Sequence, residues 1–269
     1  MPKIKTVNGI ETRKVVSQKE WLAARKQLLV KEKKFSKLRD ALNLQRRELP
    51  WVKIEKEYVF AGPTGQVTLG DLFCGNSQLI IYHFMFGPSW GEGCEHCSFW
   101  ADHFDSVNFH IGARDTVFAV ISRAPWKEIA PFKKRMGWRF KWLSSFNTDF
   151  NFDFNVSFTP EQLKNGKAIY NYAPLDMNID EREGVNASTS GTDVAGYLSE
   201  GHGFSVFVRE ADNLYHSYST YTRGTEFLMG YYGILDRTPK GRNEDDCGPM
   251  TWLRLHDEYG KGASKACCG

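Results

Sequence analysis

Gln78-Leu79-Ile80-Ile81-Tyr82-His83-Phe84-Met85-Phe86, followed by Gly93-Cys94-Glu95-His96-Cys97, is the stretch on which the reading of this chain turns. The first part is a short, continuous apolar run rich in branched residues, which predicts a central strand buried on both faces. The second is a C-x-x-C motif at the start of a segment, Ser98 to Phe109, that suits a helix with Phe99, His103 and Phe104 facing inward. A helix start offers N–H groups without intrahelical partners and a positive potential, and both favour a thiolate. Cys94 would sit at that end, with Cys97 one turn inside and close enough to form a disulfide with it. The context makes redox chemistry the leading reading, against zinc binding or two inert thiols.

Downstream the pattern repeats. Thr116–Ile121 predicts a second buried strand. Pro125 opens a helix carrying Ile129, Phe132 and Met136, Gly137 stops it, and Arg139–Leu143 predicts a third strand. This β-α-β-α-β succession implies parallel strands joined by right-handed crossovers. Phe150, Phe152, Phe154 and Phe158 then alternate with polar residues, Thr159-Pro160-Glu161 opens a short helix, and Asn186–Gly196 reads as a mobile loop. Phe204–Arg209 and Tyr215–Thr220 predict an antiparallel hairpin, and Thr225–Leu235 a closing helix. Upstream, Gly62-Pro63-Thr64-Gly65 is turn chemistry between Tyr58–Phe60 and Gln66–Leu69.

Before that lies a different kind of segment. Ser17-Gln18-Lys19-Glu20 is a capping box, and Trp21, Leu28, Phe35, Leu38 and Leu42 form one apolar stripe on the helix it starts. Arg25, Lys26, Lys31, Lys33, Lys34, Lys37, Arg46 and Arg47 make the remainder basic. The expectation is a surface helix packed on the main domain, with a dimerising or anion-binding arm as the alternative.

Composition sets the outer limits. With 41% hydrophobic residues over 269 positions the chain is globular, and a net charge of +3 is too small to imply a nucleic-acid partner. The longest apolar run is far short of a bilayer span, so no membrane partner is expected. Six cysteines are too sparse for a disulfide scaffold of this length. Residues 1–16 lack an apolar leader core, which makes a reducing cytoplasm the expected compartment.

The order strand, C-x-x-C helix, strand, helix, strand, insertion, hairpin, helix is similar to the thioredoxin fold. More narrowly, the chain resembles a bacterial thioredoxin-like family of unknown function, the one numbered 899. The resemblance is carried by Tyr82 to Pro88, Gly93 to Phe99, Asp102-His103-Phe104, Ile121 to Pro125, Phe132 to Trp138, Tyr218 to Tyr221, Leu235 to Arg242 and His256 to Tyr259. It implies an α/β thioredoxin-like domain, a central mixed sheet flanked by helices, over 58–238, with an insertion at about 146–200. A helical arm at 1–57 precedes it and an extension at 239–269 follows. By resemblance, Cys94 is the nucleophile, Cys97 the resolving thiol, and His96 an imidazole that helps hold the thiolate. Glu95 opposes that unless it points to solvent. The implied activity is thiol–disulfide exchange without a cofactor, on a small-molecule or protein thiol substrate; the apolar stripe of the N-terminal helix, for its part, leaves a homodimer through that helix as the alternative to packing on its own domain.

Two departures from the wider superfamily stand out. The segment before the hairpin, Gly201-His202-Gly203-Phe204, has no proline where such enzymes carry a cis-proline facing the cysteines. It is expected to take that loop's place opposite Cys94 and Cys97. Peroxiredoxin spacing before the cysteine is also missing, with Gly87 and Gly91 at those offsets from Cys94 and Trp90 and Cys94 at those from Cys97. The alternatives are a metal site that adds His103 and His110 to the two cysteines, and a non-enzymatic pocket covered by Phe150–Phe158 and Asn186–Gly196. His83 reads as a core histidine, and Cys74 and Cys247 as plain thiols.

Overall fold

The computed structural model describes residues 14–175, 181–245 and 248–259. It divides into two compact units. The first contains the described residues up to Pro50 together with Ile234–Arg242. Its main element is α1 (Gln18–Arg47), begun by the capping box: Glu20 N–H donates to Ser17 Oγ at 3.3 Å and Ser17 N–H to Glu20 Oε2 at 3.0 Å. No residue of α1 is buried, and Trp21, Leu28, Phe35 and Leu42 are 51%, 52%, 67% and 41% exposed. The apolar stripe foreseen on α1 is thus at least two-fifths exposed at each of these four positions.

The second unit, Trp51–Gly233 with the described residues after Arg242, holds the sheet. Its strands begin with β1 (Val52–Lys53), β2 (Val59–Gly62), β3 (Gly65–Thr68) and β4 (Gln78–His83). After helices α2 (Glu95–Ala101) and α3 (Val107–Ile111) come β5 (Thr116–Ser122), α4 (Trp126–Arg135) and β6 (Trp142–Ser144). The insertion supplies α5 (Phe150–Asp153), α6 (Pro160–Lys164), the small pair β7 (Ile169–Tyr170) and β8 (Ala173–Pro174), α7 (Glu181–Thr189) and α8 (Val194–Leu198). The chain closes with β9 (Gly203–Glu210), β10 (Asn213–Tyr221) and α9 (Gly230–Leu235).

The large sheet runs β1-β10-β9-β4-β5-β6-β2-β3. β4 lies inside it, parallel to β5 and antiparallel to β9, with Ile81 opposite both Ala119 and Ser205. A strand that leads into the C-x-x-C helix, flanked by a parallel strand and by the first strand of an antiparallel hairpin, is the thioredoxin-like arrangement. β4 is apolar on both faces because both are covered. Leu79 and Ile81 join Phe60, Phe73, Phe150 and Phe207 on one side. On the other side Tyr82 meets Phe104 at 5.1 Å between ring centres, and Phe84 meets Trp142 at 4.6 Å. The two turns of strand pattern around Gly62–Gly65 pair as expected, Val59 with Thr68 and Gly62 with Gly65.

Four sequence expectations change. The helix foreseen over Ser98–Phe109 breaks between α2 and α3, because Asp102 and Asp105 are drawn to the 138–140 turn. Asp102 Oδ1 accepts from Trp138 Nε1 at 2.8 Å, and Asp105 Oδ1 accepts from the N–H groups of Arg139 at 2.7 Å and Phe140 at 3.1 Å. Phe150, Phe154 and Phe158 share the interior at four-residue spacing, while Phe152 lies under Arg123 at 5.4 Å. Asn186–Gly196 lies in α7 and α8 and the turn joining them; Asp193 caps α8 by accepting from Gly196 N–H at 2.7 Å. The closing helix is split into a tight turn at Thr222–Leu228 and α9.

Candidate functional site

Past β4 the backbone folds back so that Cys94 N–H donates to Met85 C=O at 3.0 Å. That bond fixes Cys94 as the residue capping α2, with φ −51° and ψ 127°. Ser98 closes the first turn by donating its N–H and its hydroxyl to Cys94 C=O at 3.0 and 2.9 Å. The approach is tight: a Cβ on Gly93 would stand 2.7 Å from the Phe132 ring and 2.8 Å from that of Phe84. A glycine is required there by close packing.

Both sulfurs lie inside the protein, Cys94 at 1% and Cys97 at 0% exposure. Their surroundings differ. Cys94 Sγ is 3.6 Å from the Tyr197 hydroxyl, whereas Cys97 Sγ accepts from Met85 N–H at 3.4 Å. Burial works against charge on Cys94, but the Cys97 thiol and backbone N–H beside it, with the Tyr197 hydroxyl, outweigh burial and set its thiol below the ordinary range. Burial and the neighbouring Cys94 push Cys97 well above it. Tyr82, fully buried beside Cys97, turns its hydroxyl to that sulfur and works against the rise.

The two residues between the cysteines are also turned inward. Glu95 does not point to solvent; burial raises its carboxyl to about 7, against the pull of Arg254. His96 is pushed down to about 4, mainly by burial and then by His202. At neutral pH it is an uncharged imidazole, so the cationic support for the thiolate that the resemblance implied is absent. The donors beside Cys94 are instead the phenol of Tyr197 and the N–H and S–H of Cys97. Cys74 is exposed, and Lys141 Nζ lies 2.8 Å from its sulfur. Cys247, Cys267 and Cys268 lie outside the described residues.

Beside the C-x-x-C turn opens a cavity of about 390 Å³. His96, Trp100, Tyr170, Tyr197, Gly201 and His202 are among its walls. Gly201 and His202, expected to replace the cis-proline loop, thus share a cavity with His96, and β9 begins one residue later with Gly203 opposite His83. The His202 ring lies 4.9 Å from that of Trp100, and burial holds its imidazole at about 4. α7 and α8 contribute Asn186 and Tyr197 to the cavity; of the two segments expected as a cover, Asn186 and Phe158 line it, and Tyr197 lies just beyond the first. The segment is anchored where Gly91 N–H donates to Gly191 C=O at 3.3 Å, the two backbones so close that a Cβ on Gly191 would stand 2.8 Å from Gly91 Cα. Nearby, Glu200 is buried and accepts from Arg123 Nε at 2.6 Å and Ser157 Oγ at 2.7 Å.

Among the described residues no group of three or more His, Cys, Asp or Glu is placed to hold a metal ion, so His103 and His110 do not complete a ligand set with the cysteines. His103 instead meets the Tyr231 ring at 3.9 Å. His83 is a core residue, its Nε2 2.8 Å from Ser205 Oγ. Sequence reasoning missed Tyr197, Tyr82 and Trp100. Trp100 follows from helical spacing, three residues after Cys97; nothing local points to the two tyrosines.

The chain belongs to the family described as bacterial protein of unknown function, DUF899, which matches residues 10–259. In structure it is similar to peroxidoxin BcpB from Mycobacterium tuberculosis, with a TM-score of 0.39 and 12% identity, over 68% of this chain and 94% of that one. Among curated proteins, none matches it in sequence. No helix of the described residues is long and apolar enough to cross a membrane.

Proposed function

We propose that this chain carries out thiol–disulfide exchange at its C-x-x-C motif, with Cys94 attacking and Cys97 resolving. One observation carries the reading: two adjacent buried thiols have different surroundings, Cys94 capping α2 with the Tyr197 hydroxyl 3.6 Å from its sulfur and Cys97 inside the helix accepting from Met85 N–H at 3.4 Å, which lowers the first thiol and raises the second. In the forward step the Cys94 thiolate attacks one sulfur of a disulfide, the S–S bond breaks, and the departing thiolate takes a proton. Cys97 then loses its proton and attacks Cys94 Sγ, expelling the second thiol. The pair gives up two electrons and the substrate leaves as two thiols; an external thiol reductant restores the pair. His96 takes part as a neutral wall of the adjoining cavity.

The test is trapping. Cys97→Ser treated with a small disulfide should hold a stable mixed disulfide on Cys94, whereas Cys94→Ser should form none on Cys97. Equal adducts on both, or none, would remove the assignment. The cavity supports a second reading, a protein that binds a small ligand without turnover. Repeated consumption of disulfide in the presence of a thiol reductant separates the two.

A further inference from the structure

We infer that the molecule exchanged at the C-x-x-C is a small, uncharged disulfide with an apolar body and a hydrogen-bond acceptor, bound in the cavity between α2 and the 197–202 segment. The inference rests on the thiol–disulfide reading above and names its substrate class. Access is the first ground. With both sulfurs at or below 1% exposure, a disulfide on a protein surface has no route to Cys94. Tyr197 is the side chain common to both places: it lines the cavity, and its hydroxyl is 3.6 Å from Cys94 Sγ. Attack from the cavity requires that this phenol move.

The walls are the second ground. About 390 Å³ falls within the range of small-ligand pockets, about 300–1,000 Å³. Met85, Trp100, Phe158, Tyr170 and Leu198 make the interior apolar. Among the described residues that line it there is no lysine or arginine, and the nearby Arg123 guanidinium is already engaged by Glu200. An anionic disulfide would leave water without gaining a cation from these walls. Two buried polar atoms of residues that line it have no protein partner, His96 Nε2 and Trp100 Nε1. The indole N–H can only donate, so an occupant that supplies an acceptor removes the cost of leaving it unpaired.

A matched pair of aromatic disulfides tests this on the full chain with Cys74, Cys247, Cys267 and Cys268 replaced by serine. The neutral probe is 4,4′-dithiodipyridine, whose ring nitrogens accept, and the charged one is the dianionic dithiobis-nitrobenzoate reagent. Each rate is divided by the rate of the same reagent with the guanidinium-unfolded chain, which removes intrinsic reactivity. The neutral reagent should saturate with concentration and be favoured at least about 30-fold over the dianion. Trp100→Phe should raise its half-saturation concentration several-fold and leave the limiting rate unchanged. Equal normalised rates, or a linear dependence for both, overturn the inference while leaving the exchange reading in place. If neither reagent joins Cys94 to Cys97, the exchange reading fails with it. The charge preference is read on the chain with Trp100 intact, so it stands even if Trp100→Phe does not fold.

Discussion

Tyr197→Phe should raise the pKa of Cys94 by about one unit while leaving the fold intact. The Tyr197 ring stacks on Trp90 at 5.5 Å, a contact phenylalanine keeps, so the change is confined to the hydroxyl 3.6 Å from Cys94 Sγ. A hydrogen bond to a charged group contributes about 1.5–3 kcal/mol, and a long oxygen–sulfur contact belongs at the lower end, about one pKa unit. In the Cys97→Ser background, exchange with a neutral disulfide gives the profile of rate against pH. Well below both pKa values the thiolate fraction falls about tenfold, but each remaining thiolate is about threefold more nucleophilic, leaving a net loss of about threefold. Above both, the plateau rises about threefold. The two profiles must therefore cross. Profiles that superimpose, or that differ by one factor at every pH, refute the donor role of Tyr197.

Acid should destabilise the chain from pH 6.5 downward. His83, His96 and His202 are buried neutral at about 3, 4 and 4, so the unfolded state takes up protons first as pH falls. By pH 5 each contributes a loss of about 2 kcal/mol. Glu95, raised to about 7, has the opposite sign, since its protonated form is favoured in the fold and its contribution is lost as pH rises from 4.5. Denaturant midpoints at pH 7 and 5 should show a net fall that His83→Gln reduces; an unchanged midpoint contradicts the buried neutral state. Gly191→Ala puts a Cβ where φ is +65° and Gly91 Cα is 2.8 Å away, and should cost about 1–3 kcal/mol in denaturation. The same variant should speed alkylation of Cys94, and no change in that rate would show that the α7–α8 segment does not guard it. The exposed α1 stripe should hold two copies together, so sedimentation velocity should find a dimer that Leu28→Glu with Phe35→Glu converts to monomer. A monomeric parent removes the dimer.

The sheet was readable because its signals are local. β4, β5 and α4 announce themselves by apolar runs and helical spacing, and Pro125 and Gly137 mark the ends of the helix between strands. The two cysteines were readable for the same reason, being three residues apart before a helix. Their environment was not. Tyr197 lies 103 positions from Cys94, directly after a segment, Asn186–Gly196, whose Gly, Ser, Thr and Asn content reads as loop. It becomes α7 and α8 because Asp193 caps the second helix and the Gly91–Gly191 contact docks it. Glu95 and His96 lie between the cysteines, and the burial that turns His96 neutral and raises the Glu95 carboxyl, against the opposing pull of Arg254 and Thr189 on Glu95 and of Met250 on His96, comes from tertiary packing that the four-residue motif does not encode. Phe150, Phe152 and Phe154 alternate with polar residues in the sequence; in the fold, packing against His83 and Phe207 selects the four-residue spacing.

Peptide mapping of the reduced chain after one equivalent of a small neutral disulfide is the most direct measurement of the central claim. The expected product is a single intramolecular disulfide joining Cys94 and Cys97, reversed by a dithiol and absent from either single serine variant. Two free thiols at Cys94 and Cys97 while exposed Cys74 is consumed, or a mixed disulfide on Cys94 that Cys97 never displaces, would contradict it.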